Sequence, residues 1–513
     1  MKNSYILLIL ALSFALITSC ERELPTMADY SAYEFSGLDE NGGSWVPVLL
    51  SGPTQIVVPA PEDVTSAAYQ AELTALKSTT ASLTDNQRKA VGYWTNNPVI
   101  RWNEIALELA AKYNLIPGPN EDGTYTLPNA ANPQGPPPFP FAHPPYTSRA
   151  LAYLSVAQFD GLIASWHYKY DYNRPAPYQV DAAIVTAYIK DNTPSYPADG
   201  AVIAAASRDI LSAMFPLEKE YLAAKAAEHK QSLAWAGAHV ESDITAGEYI
   251  GAEVAKVALA RAAGDGMRNA QTPRPISDSI KAAAFARFGW QWDNMEVPAR
   301  PVGLTPFFSK VRMWNVPSLE VVRPGPPPAP GSVEFEQDAQ ELRDLAKKLT
   351  NEQRRIANFW NDGLGSYTPP GHWNRFAKEA VIKAKMNPLR TARTFAYMNM
   401  AIMDAGISCW DAKYFYHYPR PIKTIDGFKT ILGTPNFPSY TSGHSTFSAA
   451  GAAVLSYIFP ANAAQFEKWA EEAAESRIYG GIHYRFDATV GNDQGKAVAA
   501  YTIDVAKADG ADD

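Results

Sequence analysis

The chain has 513 residues, 46% of them hydrophobic and 19% charged, which is enough to bury a sizeable core and to form roughly two to four domains. Its formal net charge is −8, and its Lys and Arg residues are dispersed rather than gathered in a run. An acidic chain of this kind is not expected to bind nucleic acid, so any anion site must be a local concentration of positive charge.

The first twenty residues predict a targeting segment. Lys2 precedes an apolar run over residues 5–16 that is too short to cross a membrane as a stable helix. The run leads to Ile17-Thr18-Ser19-Cys20, which is similar to a bacterial lipobox; a secretory signal with an incidental cysteine is the alternative. We therefore predict a signal peptide over residues 1–19, lipidation of Cys20 and an exported bacterial lipoprotein. Glu21, in place of Asp, favours the outer membrane, on its periplasmic or its surface face.

The next part of the chain predicts an arm followed by helices. Residues 20–65 are turn-rich and of mixed composition, which is typical of a tether or a wrap-around arm. Ala-rich amphipathic runs then recur without a sustained period of two residues, so we predict an all-α protein. Two Pro-rich stretches, Pro133–Pro145 and Pro324–Pro330, are predicted to be extended connectors that cannot be helical. The second separates a predicted bundle over residues 66–330 from one over residues 331–513.

Adding 244 to residue numbers of the first half reaches similar residues in the second half. The correspondence holds at both ends of the region, from Arg149 with Arg393 to Asp243 with Asp487. A constant offset of this kind predicts two tandem, related helical bundles. Other matching pairs are Tyr153 with Tyr397, Asp160 with Asp404, Trp166 with Trp410, Lys169 with Lys413, His239 with His483 and, at a slightly different offset, Trp94 with Trp360.

The two predicted bundles differ at the positions where chemistry would take place. Gly443 of the second half is matched by Asp199, which puts a carboxylate where an anion would bind. Burying an anion beside that carboxylate would be unfavourable, so we predict that the N-terminal copy is degenerate and that each chain has one active site. The other losses are Arg420 to Ala176, Ser442 to Ala198, His444 to Gly200 and Arg477 to Leu233.

Three motifs in the second half bring cations and histidines together. They read Lys413-x6-Arg420-Pro421, Pro438-Ser439-Tyr440-Thr441-Ser442-Gly443-His444 and Ser476-Arg477-x5-His483-x3-Asp487. Arginine supplies forked donors to paired oxygens, and lysine supplies a point charge. This set of residues therefore suits a tetrahedral or bipyramidal oxyanion.

The spacing within the motifs predicts how they are placed. Ser442 and Gly443 come just before an Ala-rich run over residues 445–458, so their N–H groups are predicted to point at the anion from a helix N-terminus. His483 and Asp487 are four apart on a predicted helix and would share one face. The carboxylate could then accept the imidazole N–H and fix its tautomer, although a surface pair without function is the alternative.

Together, the three motifs resemble the signature of the type-2 phosphatidate phosphatase and vanadium-dependent haloperoxidase superfamily, with Thr441 where the family usually has Pro. The resemblance implies a vanadate cofactor, or none if the chain is a phosphatase. It implies that His483, supported by Asp487, either binds vanadate covalently or becomes a phosphohistidine. It also implies that His444 is an acid–base residue on the apical side. The residues implied to hold the equatorial oxygens are Lys413, Arg420, Ser442, Gly443 and Arg477.

Two aromatic residues resemble those that flank vanadate in the chloroperoxidase-like branch of this superfamily. Trp410 lies three residues before Lys413, and Phe437 lies seven residues before His444, so both are expected to line the pocket. Ordinary core packing is the alternative, because Trp166 matches Trp410 in the degenerate copy. His372, in a Pro-Pro-Gly-His-Trp-Asn stretch, is expected to pack a loop.

The resemblance leaves three functions open. The first is a vanadate-dependent haloperoxidase that oxidises a halide with hydrogen peroxide at a vanadate held by His483. The second is a phosphomonoesterase, in which His483 attacks phosphorus and His444 protonates the leaving oxygen. The third is a surface protein that only binds anions, which the presence of both histidines disfavours. We expect a protein anchored to the membrane by lipid, alone or as a homodimer.

Overall fold

The computed structural model describes residues 30, 32–115, 141–295, 300 and 302–512, and all regular secondary structure in these ranges is helical. The all-α prediction is therefore confirmed. No described helix is both long enough and apolar enough to span a lipid bilayer. The predicted signal peptide and Cys20 lie outside the described residues. The helices are α1 (Ala67–Thr80), α2 (Asp85–Thr95), α3 (Pro98–Tyr113), α4 (Pro144–Tyr172), α5 (Pro177–Val180), α6 (Asp199–Met214), α7 (Lys219–Trp235), α8 (Glu241–Ala263), α9 (Arg274–Phe288), α10 (Val333–Lys348), α11 (Asn351–Phe359), α12 (Thr368–Ala384), α13 (Pro388–Tyr416), α14 (Pro421–Thr424), α15 (Gly443–Ile458), α16 (Ala463–Tyr479) and α17 (Arg485–Lys507).

Two long helices, α4 and α13, pack along each other at the centre of the molecule. Each has 29 residues, and nearly all of them are buried. A helix that is apolar on all sides needs neighbours on all sides. Helices α6 and α8 cover α4, and helices α15 and α17 cover α13.

The beginning of α4 corrects one prediction. Pro144 and Pro145, at the end of a stretch that was expected to be extended, are the first two residues of this helix. Proline is tolerated there because the N–H groups of the first helical turn have no partner within the helix. The other connector is as predicted, since residues 324–330 are irregular and lead to α10.

Helices of equal length recur at the offset of 244. Helices α4 and α13 have 29 residues each, α6 and α15 have 16, α7 and α16 have 17, and α8 and α17 have 23. Equal helices in the same order are what a duplicated bundle would give. The duplication itself, with the domain bounds derived from it, stays a prediction.

A buried aspartate in the middle of each central helix holds a segment of irregular chain. Asp160 accepts the backbone N–H groups of residues 48–50, at 2.6 to 3.0 Å. Asp404, which is 244 residues later, accepts those of residues 314–316, at 2.7 to 3.2 Å. Burial raises the pKa of both carboxyls to about 6. The described part of the predicted arm therefore packs against the helices, with Trp45 only 1% exposed.

A buried amide network joins the two halves. Asn103 donates to the side-chain oxygen of Asn374 at 2.8 Å, and Asn374 exchanges hydrogen bonds with Asn399 at 2.8 and 2.9 Å. Asn399 also donates to the hydroxyl of Ser155 at 3.0 Å. Buried polar groups of this kind are costly unless they are paired, so the network fixes how α3, α4, α12 and α13 sit against one another.

Candidate oxyanion site

The three motifs meet where four helices of the second half have their ends. Helix α13 ends near Lys413, α15 begins at Gly443, α16 ends near Arg477, and α17 begins just after His483. These helices pack against one another, so residues from three separate stretches face a common centre.

His483 and Asp487 form the pair that their spacing predicts, but not in the predicted manner. His483 lies before α17, which begins at Arg485, so the two residues do not share a helix face. Asp487 is instead in the first turn of α17, and its Oδ2 accepts the backbone N–H of Tyr484 and faces the imidazole Nδ1 of His483 at 2.9 Å. The hydroxyl of Ser439 donates to the same oxygen at 2.5 Å. An Nδ1–H that donates to Asp487 leaves Nε2 as the ring atom that carries the lone pair, and this lone pair faces Nη1 of Arg420 at 3.0 Å.

Arg420 and Arg477 are the two guanidinium groups whose charges act on the imidazole of His483. Arg420 places its Nη1 3.0 Å from Nε2 of His483 and donates to the carbonyls of Phe437 and Ile482. Arg477 donates to the carbonyls of residues 357 and 360. Both side chains are almost fully buried, and burial lowers the pKa of each guanidinium to about 10, so both stay charged at neutral pH.

Lys413 is a fully buried ammonium. Its Nζ donates to the carbonyls of Pro438, Ser439 and Thr441, at 2.9, 2.9 and 2.5 Å. Burial lowers its pKa to about 7, and the charge of Arg420 acts in the same direction. Part of the second motif therefore wraps around the amine that the first motif supplies.

None of these three cations forms an ion pair with a carboxylate within the described part of the chain, where a pair means 4.0 Å or less. Three buried positive charges without counter-charges are unfavourable unless an anion joins them. The same charges also act on His483, because burial and then Arg420, Lys413 and Arg477 hold the pKa of its imidazole well below its usual range. His483 is therefore neutral, which is the state that can act as a ligand or a nucleophile.

The start of α15 confirms one half of a prediction and corrects the other. Ser442 caps this helix and Gly443 is its first residue, as expected. However, the N–H of Ser442 donates to the carbonyl of Asp487 at 2.9 Å, so it is not directed at an anion. The N–H of Gly443, at the first helical position, has no partner within the helix and remains the donor of this pair.

His444 contacts a carboxylate that the sequence did not single out. Its Nε2 lies 3.6 Å from Oδ2 of Asp362, in the loop between α11 and α12. Burial lowers the pKa of His444 to about 4, with a further contribution from Arg477, so its imidazole is neutral at pH 7. Although burial opposes it, the neighbouring His372 and His444 hold the pKa of Asp362 below its usual range. With Nε2 directed at a carboxylate, Nδ1 is the ring atom of His444 that is left for proton transfer.

The two aromatic residues play different parts. The Phe437 ring lies 5.0 Å from Nζ of Lys413 and 5.2 Å from Cζ of Arg420, so it touches the cation cluster directly. Trp410 is 1% exposed and donates its indole N–H to the carbonyl of Leu304 at 3.1 Å. Trp166 makes the same kind of bond to Leu38 in the first half, at 3.1 Å. Trp410 therefore holds the loop at Leu304 by a hydrogen bond, and its ring also lies 5.9 Å from Nζ of Lys413.

In the first half, the charged residues at the matching positions form ion pairs. Lys169 forms an ion pair with Asp199 at 3.2 Å, and Asp199 is the first residue of α6, as Gly443 is of α15. Asp243 is held by Arg174. His239 consequently contacts the carbonyl of Ser195 at 2.9 Å, while its distance to Asp243 is 3.8 Å, beyond hydrogen-bonding range.

Two functional candidates were missed by the sequence reasoning, and each had a signal. Ser439 belongs to the Pro-Ser-Tyr triplet that recurs at residues 194–196, which indicated a local structural requirement. Asp362 lies two residues after Trp360, whereas Asn96 lies two residues after the matching Trp94. That difference between the two halves is of the same kind as the change of Gly443 to Asp199.

Comparisons with known proteins match the part of the chain that contains the three motifs. Residues 394–509 match the model of the PAP2 superfamily. The vanadium chloroperoxidase of Curvularia inaequalis is 30% identical over 112 residues, which cover 16% of this chain and 18% of that protein. The chain thus matches less than a fifth of the length of this curated relative.

Solved structures resemble a much larger part of the chain. The structure described as the first bacterial vanadium-dependent iodoperoxidase has a TM-score of 0.57 at 23% identity, covering 74% of this chain and 94% of that one. A holo-type bacterial vanadium-dependent chloroperoxidase has a TM-score of 0.48 at 12% identity, covering 71% and 91%. The first of these likenesses shows a shared all-α fold. The three motifs, at residues 413–421, 438–444 and 476–487, all lie within residues 394–509, the stretch that matches the PAP2 superfamily.

Proposed function

We propose that this protein is a vanadate-dependent haloperoxidase, which oxidises a halide with hydrogen peroxide at a vanadate held by His483. The observation that carries the proposal is the set of three buried cations, Lys413, Arg420 and Arg477, which lack carboxylate partners among the described residues and surround a neutral imidazole. The motif residues, the match of residues 394–509 to the PAP2 superfamily and the likeness of part of the chain to a vanadium chloroperoxidase support it.

The donor set fits vanadate. His483 directs Nδ1 at Asp487, so Nε2 is the atom that would bind vanadium. Arg420 lies next to that atom and, with Lys413 and Arg477, would neutralise the negative oxygens, as the N–H of Gly443 would from the start of α15. The chemistry that vanadate supplies when bound is activation of hydrogen peroxide toward a halide ion.

His444 would move the proton that this reaction releases. Asp362 faces its Nε2 at 3.6 Å and would favour a proton there, which leaves Nδ1 to accept a proton from the substrate peroxide. Its low pKa, about 4, keeps the imidazole in the form that can accept. Phe437 and Trp410 contribute apolar surface beside the cations, which excludes water and strengthens the electrostatic interactions inside the site.

The location of the protein is proposed on the sequence alone. The lipobox-like stretch that ends at Cys20 supports an exported lipoprotein, anchored by lipid to the outer membrane. Such a position would give the site direct access to external halide and peroxide, which would be its substrates.

A pair of assays tests the activity. Protein incubated with orthovanadate is supplied with hydrogen peroxide and iodide, bromide or chloride, and halogenation of an organic acceptor is followed. Protein without vanadate is tested for hydrolysis of p-nitrophenyl phosphate. We expect halogenation that requires vanadate and is lost in His483→Ala. Hydrolysis that vanadate inhibits, without halogenation, would show that the protein is a phosphatase, and anion binding without either reaction would show a non-catalytic protein.

A further inference from the structure

One carboxylate of the site lies between two imidazoles, those of His372 and His444. Asp362 places Oδ2 3.6 Å from Nε2 of His444, and its two carboxylate oxygens lie 3.1 and 3.2 Å from Nδ1 of His372. The side chains of Asp362 and His372 are 5% and 2% exposed. An imidazole this close to both oxygens limits how the carboxylate can rotate, because a turned carboxylate would lose the hydrogen bond inside a dry environment.

His372 is itself fixed by the helix and the rings around it. It belongs to the first turns of α12, and its ring stacks on Trp360, with centroids 4.5 Å apart. Phe376 lies on another side at 4.9 Å. The ring that holds Asp362 is therefore anchored to rigid elements rather than to a loop.

We propose that His372 is a positioning residue for the reaction at this site: its Nδ1–H holds the carboxylate of Asp362 so that Oδ2 faces Nε2 of His444 at 3.6 Å, which favours the tautomer of His444 with the proton on Nε2. His372 thereby selects Nδ1 of His444 as the atom that exchanges a proton with the substrate. This inference rests on the proposed function for its catalytic consequence, but the arrangement of His372, Asp362 and His444 is a property of the protein without vanadate.

Stacking alone is the competing explanation, and the chain contains its own control for it. In the first half, His229 is fully buried and stacks on Trp94, with centroids 4.3 Å apart. Both tryptophans donate their indole N–H to a glutamate, Trp94 to Glu228 at 3.0 Å and Trp360 to Glu472 at 2.9 Å.

The two histidines differ in their hydrogen-bond partners. Nδ1 of His229 accepts the indole N–H of Trp102 at 3.2 Å, whereas Nδ1 of His372 faces a carboxylate. A residue that only fills a stacking position on tryptophan does not require the carboxylate. The contact with Asp362 therefore distinguishes a positioning role from a packing role.

Three variants separate these roles. His372→Phe keeps a ring on Trp360 but removes the donor, whereas His372→Asn keeps an N–H near the position of Nδ1 but removes the ring. His229→Phe is the matched control. We expect turnover of His372→Phe to fall by about 10- to 100-fold, with KM for peroxide and the affinity for orthovanadate within about twofold of the wild type. His372→Asn should recover most of the turnover, and His229→Phe should keep it.

A second measurement needs neither vanadate nor turnover. The eight histidines are labelled with nitrogen-15, and the ring signals of His444 are assigned with His444→Gln. We expect the wild type to show the Nε2–H form of His444, and His372→Phe to show a mixture of tautomers that His229→Phe does not show. An unchanged tautomer in His372→Phe, or equal turnover in His372→Phe and His229→Phe, would overturn the proposal. A wild type that does not halogenate but shows the tautomer change would reject the proposed function and retain the positioning role.

Discussion

Lys413 is the residue whose charge is expected to change with pH near neutrality. Its ammonium is enclosed by three carbonyls, and it lies beside a second buried cation, Arg420. Carbonyl oxygens stabilise the charged form, but desolvation and the neighbouring charge dominate, so the pKa falls to about 7. A lysine with such a pKa is charged below about pH 7 and loses its charge above it.

Anion affinity should therefore decrease as the pH rises through neutrality. Sulfate is a suitable tetrahedral probe because it stays doubly charged in this range, unlike phosphate. We expect its affinity for the vanadate-free protein to fall by about tenfold between one pH unit below and one above the pKa of Lys413. Isothermal titration calorimetry at several pH values measures it.

The control for this dependence is Lys413→Met, which keeps the length of the side chain without the charge. We expect weaker sulfate binding that no longer changes over the same pH range. A wild-type affinity that is flat with pH would mean that Lys413 keeps its proton, and that its pKa in solution is well above neutrality.

At this scale, the sequence predicted which residues gather but not how they are oriented. Residue types and spacing were enough for the cations and the two histidines, because those features define an oxyanion site. The position of His483 outside α17 was not predictable, since it depends on where the helix begins. Asp362 was missed because it reaches His444 from a loop about eighty residues earlier in the chain, and single-sequence spacing does not show such contacts.

Among the helices, the buried aspartates on α4 and α13 have a structural task that the motifs do not reveal. Asp160 satisfies three backbone N–H groups of the segment at residues 48–50. Without that carboxylate, the three donors lose their shared acceptor next to a dry helix surface. The packing of the described arm therefore depends on one side chain.

Asp160→Ala should lower the free energy of unfolding by about 3 kcal/mol. Asp171→Ala, on the same helix but exposed, is the control and should change it by less than about 0.5 kcal/mol. Urea denaturation followed by circular dichroism measures both. Equal stabilities of the two variants would show that the arm is held by its apolar contacts instead.

In the first half, the contacts of the residues that match the site indicate that this half is inactive. His239 is directed at the carbonyl of Ser195, and Asp243 is occupied by Arg174, so the pair that works in the second half is separated here. We expect His239→Ala to keep halogenation within about twofold, while His483→Ala abolishes it. A large loss of activity in His239→Ala with an unchanged melting temperature would contradict the degenerate status of this half.

At the scale of the whole molecule, the two predicted bundles are in extensive contact, and the domain bounds derived from the sequence stay a prediction. The central helices α4 and α13 bury each other, and the amide network of Asn103, Asn374 and Asn399 crosses between the halves. The hydrophobic pattern and the Ala-rich composition of the sequence predicted the all-α class and the helices of both halves. The interlocking of the halves was not predictable, because it depends on contacts between residues that are about 250 positions apart.

A fragment of residues 331–513 should therefore fail to fold cooperatively. Separating it from α3 and α4 would expose one whole side of α13 and would remove Asn103 and Ser155, the partners of Asn374 and Asn399 in the first half. We expect helical circular dichroism without a sharp thermal transition, and strong binding of a hydrophobic dye. A sharp transition together with sulfate binding would show that the second half is autonomous.

In the first half, the carboxylate of Asp199 pairs with Lys169 and so occupies the position that an anion would take. A carboxylate attached to the backbone competes at an effective concentration in the millimolar range or above, which free vanadate at micromolar levels cannot match. Saturating amounts of vanadate should consequently load one vanadium atom per polypeptide rather than two, as elemental analysis after gel filtration would count. Converting the protein into a double-headed catalyst would have to begin by removing that internal competitor.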